Sequence, residues 1–208
     1  MRTVVLLLLF TLVPAPLLAQ DDPVAGFADA LTTDTALREL QQGKAITGSF
    51  DFETKPRSAS IWGAIRIPAS PQVIIKLIRD CPNAPSYHKK LKFCEIISND
   101  EKGNGETLHQ QLKINFFSPL LDYTFRAQYG DNTIRYTLIS GDLKILQGGW
   151  NIYPDTHSSL LVYFISIKPS APVPLWLVTQ ILQSDIVKTM QKMRELLISE
   201  DSAWLTNE

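Results

Sequence analysis

The chain has little excess charge of either sign. In 208 residues, 20 Lys and Arg stand against 21 Asp and Glu, a formal net charge of −1. Nucleic acids are held through clustered cations, so this balance excludes DNA or RNA as an electrostatic partner. The one small basic group, Lys89, Lys90 and Lys92, reads as a solvated face. Histidine and cysteine are also scarce, with three and two residues. Cys81 and Cys94 have no nearby His pair, so they make no zinc set, and no metal or other cofactor is expected. There is no Gly-rich phosphate loop, no Gly-x-Ser-x-Gly elbow and no His-Glu-x-x-His helix. The apolar run at the N-terminus falls short of the roughly 20 residues a bilayer span requires. The apolar stretch from Val173 to Met193 carries Asp185, Lys188 and Lys192 at what would be bilayer depth, which excludes a span there too.

What is present is an export signal and one domain's worth of core. Arg2, the apolar run Val4 to Val13 and the small-residue exit Pro14 to Ala19 have the three-part form of a secretory signal peptide. We assign residues 1–19 to it, which places the mature protein outside the cytoplasm, in a bacterial periplasm. No Cys follows the apolar run, so a lipid anchor is not expected. In an oxidising compartment an isolated cysteine pair tends to join, and a Cys81–Cys94 disulfide is predicted, worth about 3 kcal/mol in the chain-entropy model. Residues 20–43 read as a lead-in, mobile at its start, with a short helix from Thr35 to Gln42 ended by Gly43. Residues 44–200 form the domain, and 201–208 a tail. With 45% apolar residues the length suits a single core.

Within the domain the period of the apolar residues changes three times. Ala45 to Phe52 and Ile61 to Ile67 alternate as strands. Ser70-Pro71 then caps and opens a helix with Val73, Ile74, Leu77 and Ile78 on one stripe. Asp80 to Pro85 breaks it, and a second short helix is expected over Pro85 to Lys90. Phe93–Ser98, Gly105–Asn115, Leu121–Tyr129, Ile134–Leu138, Leu146–Tyr153 and Leu160–Lys168 follow as strands divided by short turns, which implies an antiparallel meander. Pro172 and Pro174 introduce a long helix whose apolar face runs Leu175, Val178, Leu182, Ile186, Met190, Met193 and Leu197.

Three stretches carry a family resemblance. IRIPASPQVIIKLIRDCPNAPSYHKKLKFCEII is similar to a strand, small-residue turn and first helix. GDLKILQGGWNIYPDTHSSLLVYFISIKP contains a Gly-x-Trp strand with its partner, and VPLWLVTQILQSDIVKTMQKMRE a closing helix. In this order they resemble the START-like superfamily, in particular exported bacterial members of the polyketide cyclase/dehydrase and lipid-transport type. The resemblance spans about Lys44 to Leu197. It implies an α+β helix-grip fold, in which a curved antiparallel sheet wraps a long C-terminal helix, with two short helices near the start. It also implies a cavity between them for an apolar ligand.

On that reading Tyr123, Phe125, Tyr136, Trp150, Ile152, Val178, Leu182 and Ile186 are expected to line the cavity. For Trp150, cavity lining and ordinary core packing remain equal alternatives. Trp176 opens the long helix where a gate could form. The three His do not converge: His109 points outward by parity, His157 lies in a turn, and His88 has a surface or local role. A buried Asp80 or Asp185 could serve as a base, but the plainer readings are a turn cap for Asp80 and a solvated stripe edge for Asp185. Arg126 reads as a surface residue. The expected function is binding or transport of a lipid or other hydrophobic small molecule without catalysis, by a monomer, with transient contact to a membrane or carrier protein. The alternative is a cyclase/dehydrase-type enzyme on a polyketide-like substrate. A protein-interaction module would require a filled interior. A mostly apolar cavity with one polar end favours the carrier, and two or more buried titratable groups facing it favour the enzyme.

Overall fold

The computed structural model describes residues 23–51, 57–101, 103–114 and 120–199. The expected signal peptide and the C-terminal tail lie outside the described residues. Strands β1 (Ile46–Ser49), β2 (Ala59–Ile67), β3 (Leu91–Asn99), β4 (Gly105–Lys113), β5 (Leu120–Tyr129), β6 (Thr133–Gly141), β7 (Leu143–Pro154) and β8 (Ser159–Pro169) form one sheet. Its order is β1-β2-β8-β7-β6-β5-β4-β3, every pair antiparallel. The β3–β8 run is the meander expected from short turns. The chain crosses over once, between β2 and β3, through α3 (Pro71–Arg79) and a 3-10 stretch (Cys81–Ser86). Ser70 caps α3, its hydroxyl accepting from the Val73 N–H at 3.5 Å, while Pro71 occupies the first turn, where no N–H is needed. Ile74 and Leu77 are its buried stripe. No helix forms over Pro85 to Lys90. The turn tightens earlier, at Cys81–Ser86, and the backbone then leads straight into β3.

The 24-residue helix α4 (Leu175–Ile198) lies along β2 and β1. Its buried face is Val178, Ile186, Thr189, Met190, Met193 and Leu197. Close approach is permitted by Gly63 on β2. A Cβ there would stand 3.1 Å from Ile186 Cγ1 and 3.3 Å from Met190 Sδ, so the helix rests on a place where the sheet has no side chain. The rest of the sheet curls away from α4, and the space between them is the site described below. This is the helix-grip arrangement expected from the order of elements.

From Pro23 onward the lead-in is structured rather than mobile. Pro23–Phe27 forms a 3-10 turn, followed by α1 (Ala28–Leu31) and α2 (Asp34–Gln41). They cover the outer face of β1, β2 and β8. Val24, Phe27, Ala36 and Leu40 form a second core there with Ile46, Trp62, Ala64, Val162 and Phe164. Phe27 is stacked on Trp62, ring centres 5.2 Å apart and planes within 8°. Thr33 caps α2 by accepting from the Ala36 N–H at 3.2 Å. Gly43 leaves it with φ +70°, a conformation that favours glycine, and Arg194 from α4 occupies the space where a side chain would go. The polar opening of this segment hides only two anchors, Val24 and Phe27, and two residues define no period.

Candidate functional site

Between α4 and the inner face of the sheet lies a cavity of about 150 Å³. Its walls come from alternate positions of β4 to β8, which point inward, and from one edge of α4. Leu108, Leu112, Phe125, Leu146, Ile165 and Ile186 make much of it apolar. Of the residues expected to line it, Tyr123, Phe125, Tyr136, Trp150, Leu182 and Ile186 are on the wall. Ile152 and Val178 belong to the packed core but are not on the wall. Ile152 shares the face of Leu146 and Trp150, yet sits further along β7, past the cavity. Val178 lies nearer the start of α4 than the wall residues Leu182, Asp185, Ile186 and Thr189.

The disulfide forms part of the wall. Cys81 and Cys94 are joined, with their Cα atoms 5.3 Å apart. The bond ties the 3-10 stretch to β3. Cys94 Sγ also accepts from Gln110 Nε2 at 3.2 Å, and Gln110 Oε1 accepts from the Tyr123 hydroxyl at 2.9 Å. This orients the Gln110 amide and commits the Tyr123 proton.

The polar end of the cavity differs from its sequence reading. His88 and Asp185 both face the cavity and meet there. Nε2 of His88 is 3.2 Å from Asp185 Oδ2, and Lys90 Nζ is 3.6 Å from Oδ1. Asp185 is therefore not solvated at a stripe edge. Its side chain is 13% exposed, because the segment leading into β3 covers that edge of the helix. His88 is half-buried, its side chain 27% exposed, and its ring makes the local contact to Leu91. Burial pushes its imidazole below the ordinary value of 6.5, and the Asp185 charge only partly opposes this. The Leu91 N–H is shared between the His88 carbonyl oxygen at 2.9 Å and Nδ1 at 3.1 Å; facing a donor, Nδ1 carries no proton. A neutral ring then holds its proton on Nε2, facing the carboxylate.

Four of the five tyrosines on the wall, Tyr87, Tyr123, Tyr136 and Tyr163, and Thr189 add to the polar lining. Burial raises all four phenols, so they are neutral donors. The Asp185 charge raises Tyr123 and Tyr163 further. The Tyr136 oxygen accepts from Trp150 Nε1 at 2.6 Å. The Tyr163 ring packs on Trp150 with centres 4.4 Å apart, and its hydroxyl has no hydrogen-bond partner among the described residues. Trp150 thus serves in the core and on the cavity wall at once. Tyr163 and Gln110 went unremarked in the sequence, although each shares strand parity with apolar inward residues. That parity was the signal available.

The other flagged residues stand apart from this end. His109 is on the outer face, between Glu95 at 3.2 Å and Asp122 at 2.9 Å. Arg126 pairs with Asp100. Asp80 accepts from Asn83 at the turn. Trp176 is 65% exposed at the start of α4. Elsewhere on the wall, Tyr129 donates to the buried Glu106, which also pairs with Arg79 at 2.5 Å. Among the described residues no cluster of His, Cys, Asp and Glu could hold a metal.

A family model described as "Polyketide cyclase / dehydrase and lipid transport" matches residues 67–194. No curated protein matches the chain. Among solved structures, the STAR-related lipid transfer protein from Xanthomonas axonopodis superposes with TM-score 0.65 at 15% identity, over 74% of this chain and 94% of that one. A START superfamily protein from Mycobacterium smegmatis gives 0.59 at 20% identity, over 66% and 98%. The Zhui aromatase/cyclase from Streptomyces sp. R1128 gives 0.55 at 10%, over 68% and 96%.

Proposed function

Because the chain belongs to the polyketide cyclase / dehydrase and lipid transport family, we propose that it binds or carries a hydrophobic small molecule between α4 and the sheet, without catalysis. The observation that carries this reading is the cavity itself, apolar along most of its wall and polar at one end. Apolar ligand surface leaves water there at about 25 cal/mol per Å². The volume suits a ring-sized group. A longer lipid requires α4 or the wall opposite it to move outward. The exposed Val173, Trp176 and Leu177 at the start of α4 suit transient contact with a membrane or carrier protein. The disulfide supports export to an oxidising compartment such as the periplasm.

Two half-buried titratable groups on the wall, His88 and Asp185, favour the cyclase reading instead. The orientation of His88 weighs against it. The lone pair a general base would use is occupied by the Leu91 N–H, and the other nitrogen faces a carboxylate rather than open space.

The test is organic extraction of protein purified from its native source, followed by mass spectrometry, and titration of the stripped protein with a neutral apolar fluorophore. A stoichiometric apolar compound and saturable uptake are expected. Finding neither would overturn the binding reading. Conversion of the extracted compound on incubation would replace it with the enzyme.

A further inference from the structure

The polar end of the cavity holds an acceptor and unused donors but no uncommitted cation. Lys and Arg are absent from the described lining. His88 is held neutral by burial and by the Leu91 N–H on its Nδ1. Lys90 is the nearest ammonium, and it is already set against Asp185 at 3.6 Å. The Asp185 oxygens retain lone pairs, since a carboxylate has about four acceptor sites. Of the phenols, Tyr123 has given its proton to Gln110. Tyr136 has lent its oxygen to Trp150 and kept its proton, and Tyr163 has spent neither. Tyr163 and Asp185 both line this cavity.

From this arrangement we infer that the cavity selects a neutral ligand through a hydroxyl group, alcohol or phenol, with Asp185 accepting the hydroxyl proton and Tyr163 donating to the hydroxyl oxygen. The inference rests on the binding reading above and names the polar group of that ligand. A hydroxyl is both donor and acceptor, so it satisfies both partners. A carboxylate ligand offers no proton to Asp185 and brings a second negative charge beside it, with no free cation to neutralise the pair. An ammonium could pair with Asp185, but Lys90 already does so, and an ammonium has no acceptor for the Tyr163 proton. Asp185 is in this sense a specificity-determining residue, and His88 positions it.

Four probes of one ring size, chosen to suit the volume of the cavity, separate these cases: benzyl alcohol, toluene, benzoate and benzylamine. Each is titrated into the full stripped chain at pH 7.5 and followed by amide chemical shifts of the cavity strands and α4. Benzyl alcohol is expected to bind about 5-fold more tightly than toluene, as a net hydrogen bond allows. Benzoate should bind at least about 10-fold more weakly than the alcohol, because like charges meet. In Tyr163→Phe the preference of alcohol over toluene should vanish. In Asp185→Asn the discrimination against benzoate should collapse. Toluene equal to the alcohol, or benzoate or benzylamine above it, overturns the inference while leaving an apolar binding cavity in place. If none of the four shifts the cavity resonances, the binding reading fails with it. The wild-type ranking decides the matter even where a variant does not fold.

Discussion

Reduction of the Cys81–Cys94 disulfide should weaken the fold as a whole and the polar end of the cavity in particular. The bond closes a loop with a sequence separation of 13. Releasing a loop of that size returns about 3 kcal/mol of chain entropy to the unfolded state. Both cysteines are buried, at 1% and 6% exposure, so a reductant reaches them only after unfolding. The protein should therefore be reduced in urea and refolded with the reductant still present. Urea titrations of the oxidised and reduced forms should differ by about 3 kcal/mol. There is a local signature as well. The same loop contains His88 and Lys90, the residues set against Asp185. With the bond open, the segment before β3 is anchored by the Leu91 N–H to His88 Nδ1 and by its neighbours in the sheet. The Leu91 amide should then exchange with solvent faster by a larger factor than amides in β7 and β8, after correction for global stability. A stability change under about 1 kcal/mol, with Leu91 protection unchanged, would refute the view that this bond holds the cavity wall.

Two further outcomes follow from burial and charge. His88 titrates below 6.5 in the folded protein, so the unfolded chain binds its proton first. Stability is full above 6.5 and falls as pH drops through that value toward the folded-state one. His109 is raised, chiefly by Glu95 and then Asp122, and its contribution is full below 6.5 and fades as pH rises through its folded value. Urea titrations between pH 7.5 and 5.5 should show an acid-side loss that is smaller in His88→Asn and steeper in His109→Gln; unaltered slopes would contradict the assignment. In the outer core, Phe27→Ala removes a ring 4% exposed and stacked on Trp62, and should cost about 3 kcal/mol. A urea midpoint equal to wild type would return residues 23–43 to the status of a lead-in.

Most of the architecture was open to reading in the sequence because it follows from local periods. Alternation set the inward face of the cleanest strand, Tyr123, Phe125 and Ala127. Ser70-Pro71 marked the start of α3, and the pair Pro172 and Pro174 preceded α4. Parity also sent His109 outward, and an isolated cysteine pair in a chain read as exported pointed to the disulfide. The short helix of the lead-in was legible, ended by Gly43 as expected, but the start of the lead-in was not. Two anchoring residues in a polar stretch carry no period, and their value depends on an outer sheet face that includes Trp62, Val162 and Phe164.

The sequence by itself determined which side of each strand is apolar, where the longer helices begin, and which two sulfurs join, because each depends on neighbours a few residues away or on a count of two. Only the tertiary structure decided how far the cavity extends and what lies at its polar end. Ile152 and Trp150 share a face of β7, yet one is past the cavity and the other on its wall, since depth along a strand is set by the curl of the whole sheet. Asp185 looks the same in a helical repeat whether its edge meets water or protein. It becomes the acceptor at the polar end of the cavity because the chain entering β3 folds over that edge and brings His88 and Lys90 with it.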